Sequence, residues 1–218
     1  MEAMRLDRSA MLALVAASEA LADAGWQTSC VDAKRCIWRL DGLDGTRAGV
    51  FMGTGVGGIT SLVESTNSHV LSAVRPLTGK NMRLPEGAAT EALQELIASL
   101  PLRFNPFSVS MVMPNAISAV LGIRYSLRGP NTVSAVACAA GTVAIGHAFR
   151  SIRDGETDVA LCGGSEYTGD PFGGSFRAFD TAKTLTTGGA CPATANRPFD
   201  KARTGFLKAE GGAAVLVC

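Results

Sequence analysis

Residues 132–163 run TVSAVACAAGTVAIGHAFRSIRDGETDVALCG and carry a strand, a helix and a second strand in succession. The short apolar run at 132–136 reads as a strand. The period then changes over 139–153, where Val143, Ala144, Ile145, Phe149 and Ile152 return at helical spacing and Asp154-Gly155 closes the helix. Residues 158–163 (DVALCG) form a continuous apolar run, the mark of a strand buried on both faces. Strand, helix and strand joined by short turns is the unit from which parallel sheets are built.

The neighbouring segments repeat this alternation. Residues 47–53 (RAGVFMG) read as a buried strand, followed by the glycine-rich turn 54–58 (TGVGG), with Gly58 onward entering a helix. Residues 7–24 read as a helix on the spacing of Leu12, Val15, Ala16 and Leu21, capped by Asp7 or Ser9 and ended at Ala24-Gly25. A further helix is expected over 113–125, with Pro114 in its first turn. An amphipathic helix is expected over 88–100, a helix and loop over 176–187, and a last buried strand over 212–218. The class is α/β, a mixed and mostly parallel sheet between helices, with no internal domain boundary in 1–218.

Composition agrees. Apolar residues make up 47% of the 218 and charged residues 18%, a core-forming rather than disordered balance. Twenty basic against nineteen acidic residues leave +1, so no global field holds nucleic acid or an anionic membrane. The uncharged runs 104–123 and 129–149 are interrupted by Asn105, Pro106, Pro114, Asn115, Thr132, Ser134 and His147, which favours buried elements of a soluble domain over membrane spans. The six cysteines, Cys30, Cys36, Cys138, Cys162, Cys191 and Cys218, form no Cys-x-x-Cys pair and lie at irregular spacings. Neither a zinc site nor a disulfide framework is expected, and the setting reads as reducing and cytoplasmic.

The chemistry concentrates at Cys138. It stands where the strand turns into the helix, among Val136, Ala137, Ala139, Ala140 and Gly141. A sharp strand-to-helix turn exposes its side chain, and small neighbours admit a substrate. Unpaired amides at a helix start favour a thiolate and can hold an oxyanion during acyl transfer. The competing reading is a structural cysteine in an alanine-rich core, since free cysteine is among the most buried residue types.

A wider set of motifs bears on that choice. They are Arg8-Ser9-Ala10, Gly53-Thr54-Gly55-Val56-Gly57-Gly58, Asn105-Pro106-Phe107, Met113-Pro114-Asn115 and Leu127-Arg128-Gly129-Pro130-Asn131. Ser134 through Gly141 and Ala144-Ile145-Gly146 follow, then Asp158-Val159-Ala160 and Gly163-Gly164-Ser165-Glu166. The last is Arg197-Pro198-Phe199-Asp200-Lys201-Ala202-Arg203-Thr204-Gly205-Phe206. In order and spacing the chain resembles the N-terminal half of the β-ketoacyl-[acyl carrier protein] synthases, condensing enzymes of the thiolase-like superfamily. The resemblance implies that Cys138 accepts an acyl group from a carrier-protein thioester, its own amide serving as one oxyanion donor. It places Val56 and Ser108 in the acyl pocket and gives Glu210 a buried, structural role. It implies no metal or organic cofactor, docking of an acyl carrier protein, and a homodimer formed through the strand near 132–136.

The pattern also breaks. The resemblance calls for two catalytic histidines and a second oxyanion donor from a C-terminal half. His147 cannot stand in: nine residues beyond Cys138 on one helix, it is about half a turn out of phase and ~13 Å along the axis. His69 falls in the irregular segment and is given no site role. A leading strand, central in a five-stranded sheet, has no counterpart before Met4, and a sheet lacking its centre would carry two inner edges. Residues 60–104 are longer than the family's pattern, Gly188-Gly189-Ala190-Cys191 replaces a polar run, and Lys208-Ala209 replaces small residues before Glu210. Three functions follow as expectations. The first is a ketosynthase subunit completed by a complementary chain that supplies the histidines for decarboxylative condensation in fatty acid or polyketide synthesis. The second is a non-condensing scaffold of the chain-length type. The third is an inactive fragment of a full-length ketosynthase.

Overall fold

The computed structural model describes residues 6–74, 91, 105–169, 173–188 and 191–218. The elements in chain order are α1 (Arg8–Asp23), β1 (Thr28–Asp32), β2 (Ile37–Leu40), β3 (Ala48–Gly53), α2 (Ile59–Val74), α3 (Ser108–Val112), α4 (Ala116–Tyr125), β4 (Asn131–Ser134), α5 (Ala140–Arg153), β5 (Val159–Glu166), α6 (Gly174–Thr181) and β6 (Gly211–Val217). The helix expected over 88–100 lies outside the described residues, as does most of the long segment 60–104 beyond α2.

Four strands form one sheet in the order β4-β3-β5-β6. β3 runs parallel to both β4 and β5, and β6 is antiparallel to β5. This corrects one expectation. No gap opens at the centre, because β3 bonds β5 directly, from Ala48 opposite Val159 to Gly53 opposite Gly164. The two inner edges that a missing central strand would expose are paired with each other.

Side-chain alternation explains the unbroken apolar runs. Val50 and Met52 of β3 and Leu161 of β5 face a cluster built from Ala10, Ala13, Ala17 and Leu21 of α1 with Ile117, Leu121 and Tyr125 of α4. Phe51, Ala160 and Cys162 point the other way, onto Ala144 and Ala148 of α5. Both faces of β3 and of the first part of β5 are covered, so these strands are apolar at successive positions rather than at every second one, whereas β6, expected to be buried, is mostly exposed.

Local chemistry sets the element ends. Asp7 caps α1, its carboxylate accepting from the Ser9 amide at 2.8 Å and from the Ser9 and Ser61 hydroxyls, which also ties α1 to α2. Pro114 precedes α4 rather than entering its first turn, because Asn115 is the N-cap. The hairpin β1–β2 was not legible in the sequence. Its strands are mostly exposed, so they lack the apolar alternation that marks a half-buried strand. Its turn is held instead by Asp32, whose carboxylate accepts from the Lys34 and Arg35 amides.

Arg47 pins the sheet's N-terminal end. Its guanidinium bonds both oxygens of Asp158, one at 3.1 Å, and donates to the carbonyls of Gly155 and Glu156 at 3.0 and 3.2 Å. The hydrogen bond from Arg47 holds the Asp158 carboxyl below its usual range. A lowered carboxyl adds stability above the ordinary carboxylate value of about 4 and loses it as pH falls through the lowered value. The denaturation midpoints of wild type and Asp158→Asn are therefore expected to differ modestly at pH 7 and to converge in strong acid, as chemical denaturation at the two pH values would show.

Candidate active site

The site is built where β4 gives way to α5. β4 ends at Ser134, earlier than the sequence suggested, and Val136 leaves the extended region at φ −128°, ψ 44°. Ala137 then takes φ +51°. A residue with a Cβ in the left-handed region costs about 1–3 kcal/mol and is retained where the surroundings demand it. Here it reverses the chain so that Cys138 projects outward, exposed, in a short 3-10 turn that leads directly into α5. No side chain caps either the 3-10 turn or α5. The elbow read from the small residues around Cys138 is therefore present.

Glycine lets the elbow approach the sheet. A Cβ on Gly53 would lie 2.3 Å from the Ala140 carbonyl carbon and 2.6 Å from the Gly141 nitrogen, so only glycine lets the first turn of α5 rest on the end of β3.

Cys138 opens into a cavity of about 700 Å³. One wall is the turn after β3, with Thr54, Gly55 and Val56, and another is the end of β5, with Ser165 and Glu166. The far side carries Phe179 of α6 and the segment Phe206–Ala209 that leads into β6. Phe179 and Phe206 meet edge to face with ring centres 5.4 Å apart. The Lys208 ammonium donates to the Thr168 carbonyl and the Ser175 hydroxyl, closing the rim between the β6 approach and the segment before α6. A mostly apolar chamber with a few fixed polar groups and an exposed thiol suits an acyl chain carried as a thioester.

The sequence-derived site residues divide. Val56 shares this cavity with Cys138. Ser108 does not line it: it is buried at the start of α3, its hydroxyl donating to that of Ser65 on α2 at 3.2 Å. Glu210 is not buried, its side chain being 37% exposed, but it is paired with Arg8 of α1, whose guanidinium also lies 5.3 Å over the Tyr167 ring. That pairing holds the Glu210 carboxyl below the usual range and ties α1 to the β6 approach. His147 is exposed on α5, and the side chain of His69 lies outside the described residues. Phe179, Phe206 and Glu166 were not read as site residues. Only the position of Glu166 in the Gly163-Gly164-Ser165-Glu166 motif at the end of an apolar strand offered a signal.

Cys162 is the internal control for Cys138. It is fully buried against α5, and burial pushes its thiol up to about 11. Iodoacetamide at pH 8 is expected to label Cys138 and leave Cys162 unmodified until the protein unfolds, as peptide mass spectrometry would resolve.

A mixed α/β sheet with a cysteine elbow between a parallel strand and its helix is the architecture of a thiolase-like domain. The chain belongs to the β-ketoacyl synthase family: the model of the family's N-terminal domain matches residues 1–218. It is 31% identical over 216 residues to the 3-oxoacyl-[acyl-carrier-protein] synthase 2 of Synechocystis, covering 99% of this chain and 42% of that one. The ishigamide ketosynthase/chain length factor superposes with a TM-score of 0.64 at 27% identity, covering 98% of this chain and 42% of that chain. A ketosynthase solved with its type II PKS acyl-carrier protein and bound to the hexaketide shares the fold at a TM-score of 0.69 and 22% identity, covering 97% of this chain and 43% of that one. The chain thus spans about two-fifths of the length of these relatives. Among the described residues no helix is long and apolar enough to cross a membrane.

Proposed function

We propose that this chain supplies the nucleophile of a ketosynthase. The Cys138 sulfur attacks the carbonyl of an acyl-carrier-protein thioester, the carrier thiol leaves, and the acyl group stays on Cys138. The Cys138 amide holds the oxyanion in the step between. The observation that carries this reading is the exposed Cys138 thiol on its elbow, at the mouth of an apolar cavity that Val56 also lines.

Condensation then needs groups the resemblance places outside the matched N-terminal domain: two histidines and a second oxyanion donor. A malonyl-type extender loses carbon dioxide there, and the resulting carbanion attacks the acyl carbon and frees Cys138. Two features suit a surface that meets a further ketosynthase domain or a second copy. α5 buries its small face, Ala140, Ala144 and Ala148, and turns its bulky one outward, with Ile145 42% and Phe149 58% exposed. A large apolar stripe left in water is the mark of a contact surface. β4 has β3 on one edge and no strand on the other among the described residues, which suits pairing between two copies. The six free cysteines suit a reducing, cytoplasmic setting.

The test is incubation with acyl-carrier thioesters followed by mass spectrometry of the intact protein and its peptides. The expected result is one acyl adduct, on the Cys138 peptide. A folded protein that takes no acyl group would place it with the non-condensing scaffold subunits instead.

A further inference from the structure

Glu166 ends β5 opposite Gly211 of β6 and reaches across to the turn that follows β3. Its Oε2 accepts from the backbone amides of Gly55 and Val56, the latter at 3.2 Å, and from the Thr54 hydroxyl at 3.2 Å. The Thr54 hydroxyl in turn accepts from the Gly57 amide at 3.1 Å. Three successive amides are thus gathered by one carboxylate oxygen and one hydroxyl, an anion-holding concavity filled by the protein's own side chain. Gly55 is needed for this approach, since a Cβ there would stand 2.7 Å from Oε2. The same absent Cβ would lie 3.7 Å from the Ala137 Cα, so the turn abuts the elbow that presents Cys138. The other oxygen, Oε1, is buried and has no hydrogen-bond partner among the described residues. The carboxylate's anchorage is therefore one-sided, toward the turn.

We infer that Glu166 is a positioning residue: its carboxylate sets the Thr54–Gly57 turn, and through it the place of Val56 on the cavity wall beside Cys138, so that it governs which acyl chains the cavity accepts. This rests on the acyl-transfer reading of Cys138 but has a consequence independent of it. Charge-assisted hydrogen bonds are about twice as strong as neutral ones, so an amide of the same shape holds the turn more weakly.

The experiment compares wild type with Glu166→Gln by two measurements on the whole chain. In hydrogen exchange, the amides of Gly55, Val56 and Gly57 are expected to lose roughly tenfold protection in the variant while β3 and β5 keep theirs. In Cys138 acylation by short, medium and long acyl-carrier thioesters, the variant is expected to show a flattened chain-length preference. Unaltered protection at the turn overturns the positioning role. Lost protection with an unaltered chain-length preference overturns the role in selectivity. If wild type takes no acyl group at all, the acyl-transfer reading fails and the exchange result still decides the positioning role. Thr54→Val, which removes the hydroxyl that donates to Glu166 and accepts from Gly57, puts the same question should Glu166→Gln not fold, with protection at Gly55 and Val56, the amides Glu166 holds directly, as its readout.

Discussion

Cys138→Ser is expected to abolish acyl transfer, by roughly a thousandfold or more, while leaving the protein as stable as wild type. A serine hydroxyl is not ionised at neutral pH and is a far weaker nucleophile than a thiolate unless an adjacent base takes its proton. His147 lies exposed further along α5. Cysteine depends less on such a base, because a thiol gives up its proton far more readily than a hydroxyl and sulfur is the better nucleophile. Stability should not change, since Cys138 is exposed and belongs to neither core cluster. Thermal melting of both proteins, together with intact mass after thioester incubation, separates lost chemistry from lost fold. A Cys138→Ser chain that still gained an acyl group elsewhere would move the nucleophile to another of the six cysteines.

Gly53→Val is expected to damage fold and site together. Its Cβ would press on the first turn of α5 at 2.3 Å from backbone, where no side-chain rotation relieves the clash. Overpacking of this kind costs about 1–3 kcal/mol, and a contact with backbone belongs at the upper end. For a chain of this size about 3 kcal/mol lowers Tm by roughly 6–12 °C. Because the turn it displaces begins at the elbow, acylation of Cys138 should fall by more than the unfolded fraction accounts for. Gly146→Ala is the matched control. It lies inside the same helix, and a Cβ there meets nothing within 4 Å. Removing glycine's extra backbone freedom from the unfolded chain should leave that variant equal to or slightly more stable than wild type. Differential scanning calorimetry on the three proteins, with acylation rates measured below the first melting onset, tests the pair.

What could be read along the chain was what short-range physics controls. The strands at β3 and β5 showed as apolar runs because both faces of each are covered over most of its length, while β6, an equally apolar run, is mostly exposed. The Cys138 elbow showed because a reversal between strand and helix tolerates only small flanking residues, and Ala137, Ala139, Ala140 and Gly141 supply them. The hairpin β1–β2 stayed hidden because its exposed residues obey no burial period and its turn relies on Asp32 rather than on a glycine. Ser108 took a place between α3 and α2 rather than on the cavity wall, because the fold of the intervening chain, not spacing along it, decides what a residue in that segment meets.

The amino-acid sequence carried the α/β class, the family's motif order and the small-residue elbow around Cys138, all set by periodicity and by residues adjacent to one another. The tertiary structure alone decided that β3 and β5 are neighbours, that α5 buries its alanines and exposes Ile145 and Phe149, and that Glu166, Phe179 and Phe206 close around Cys138. These depend on which distant segments share an interface. That choice minimises the free energy of the whole packed sheet, and no local window of the chain carries it.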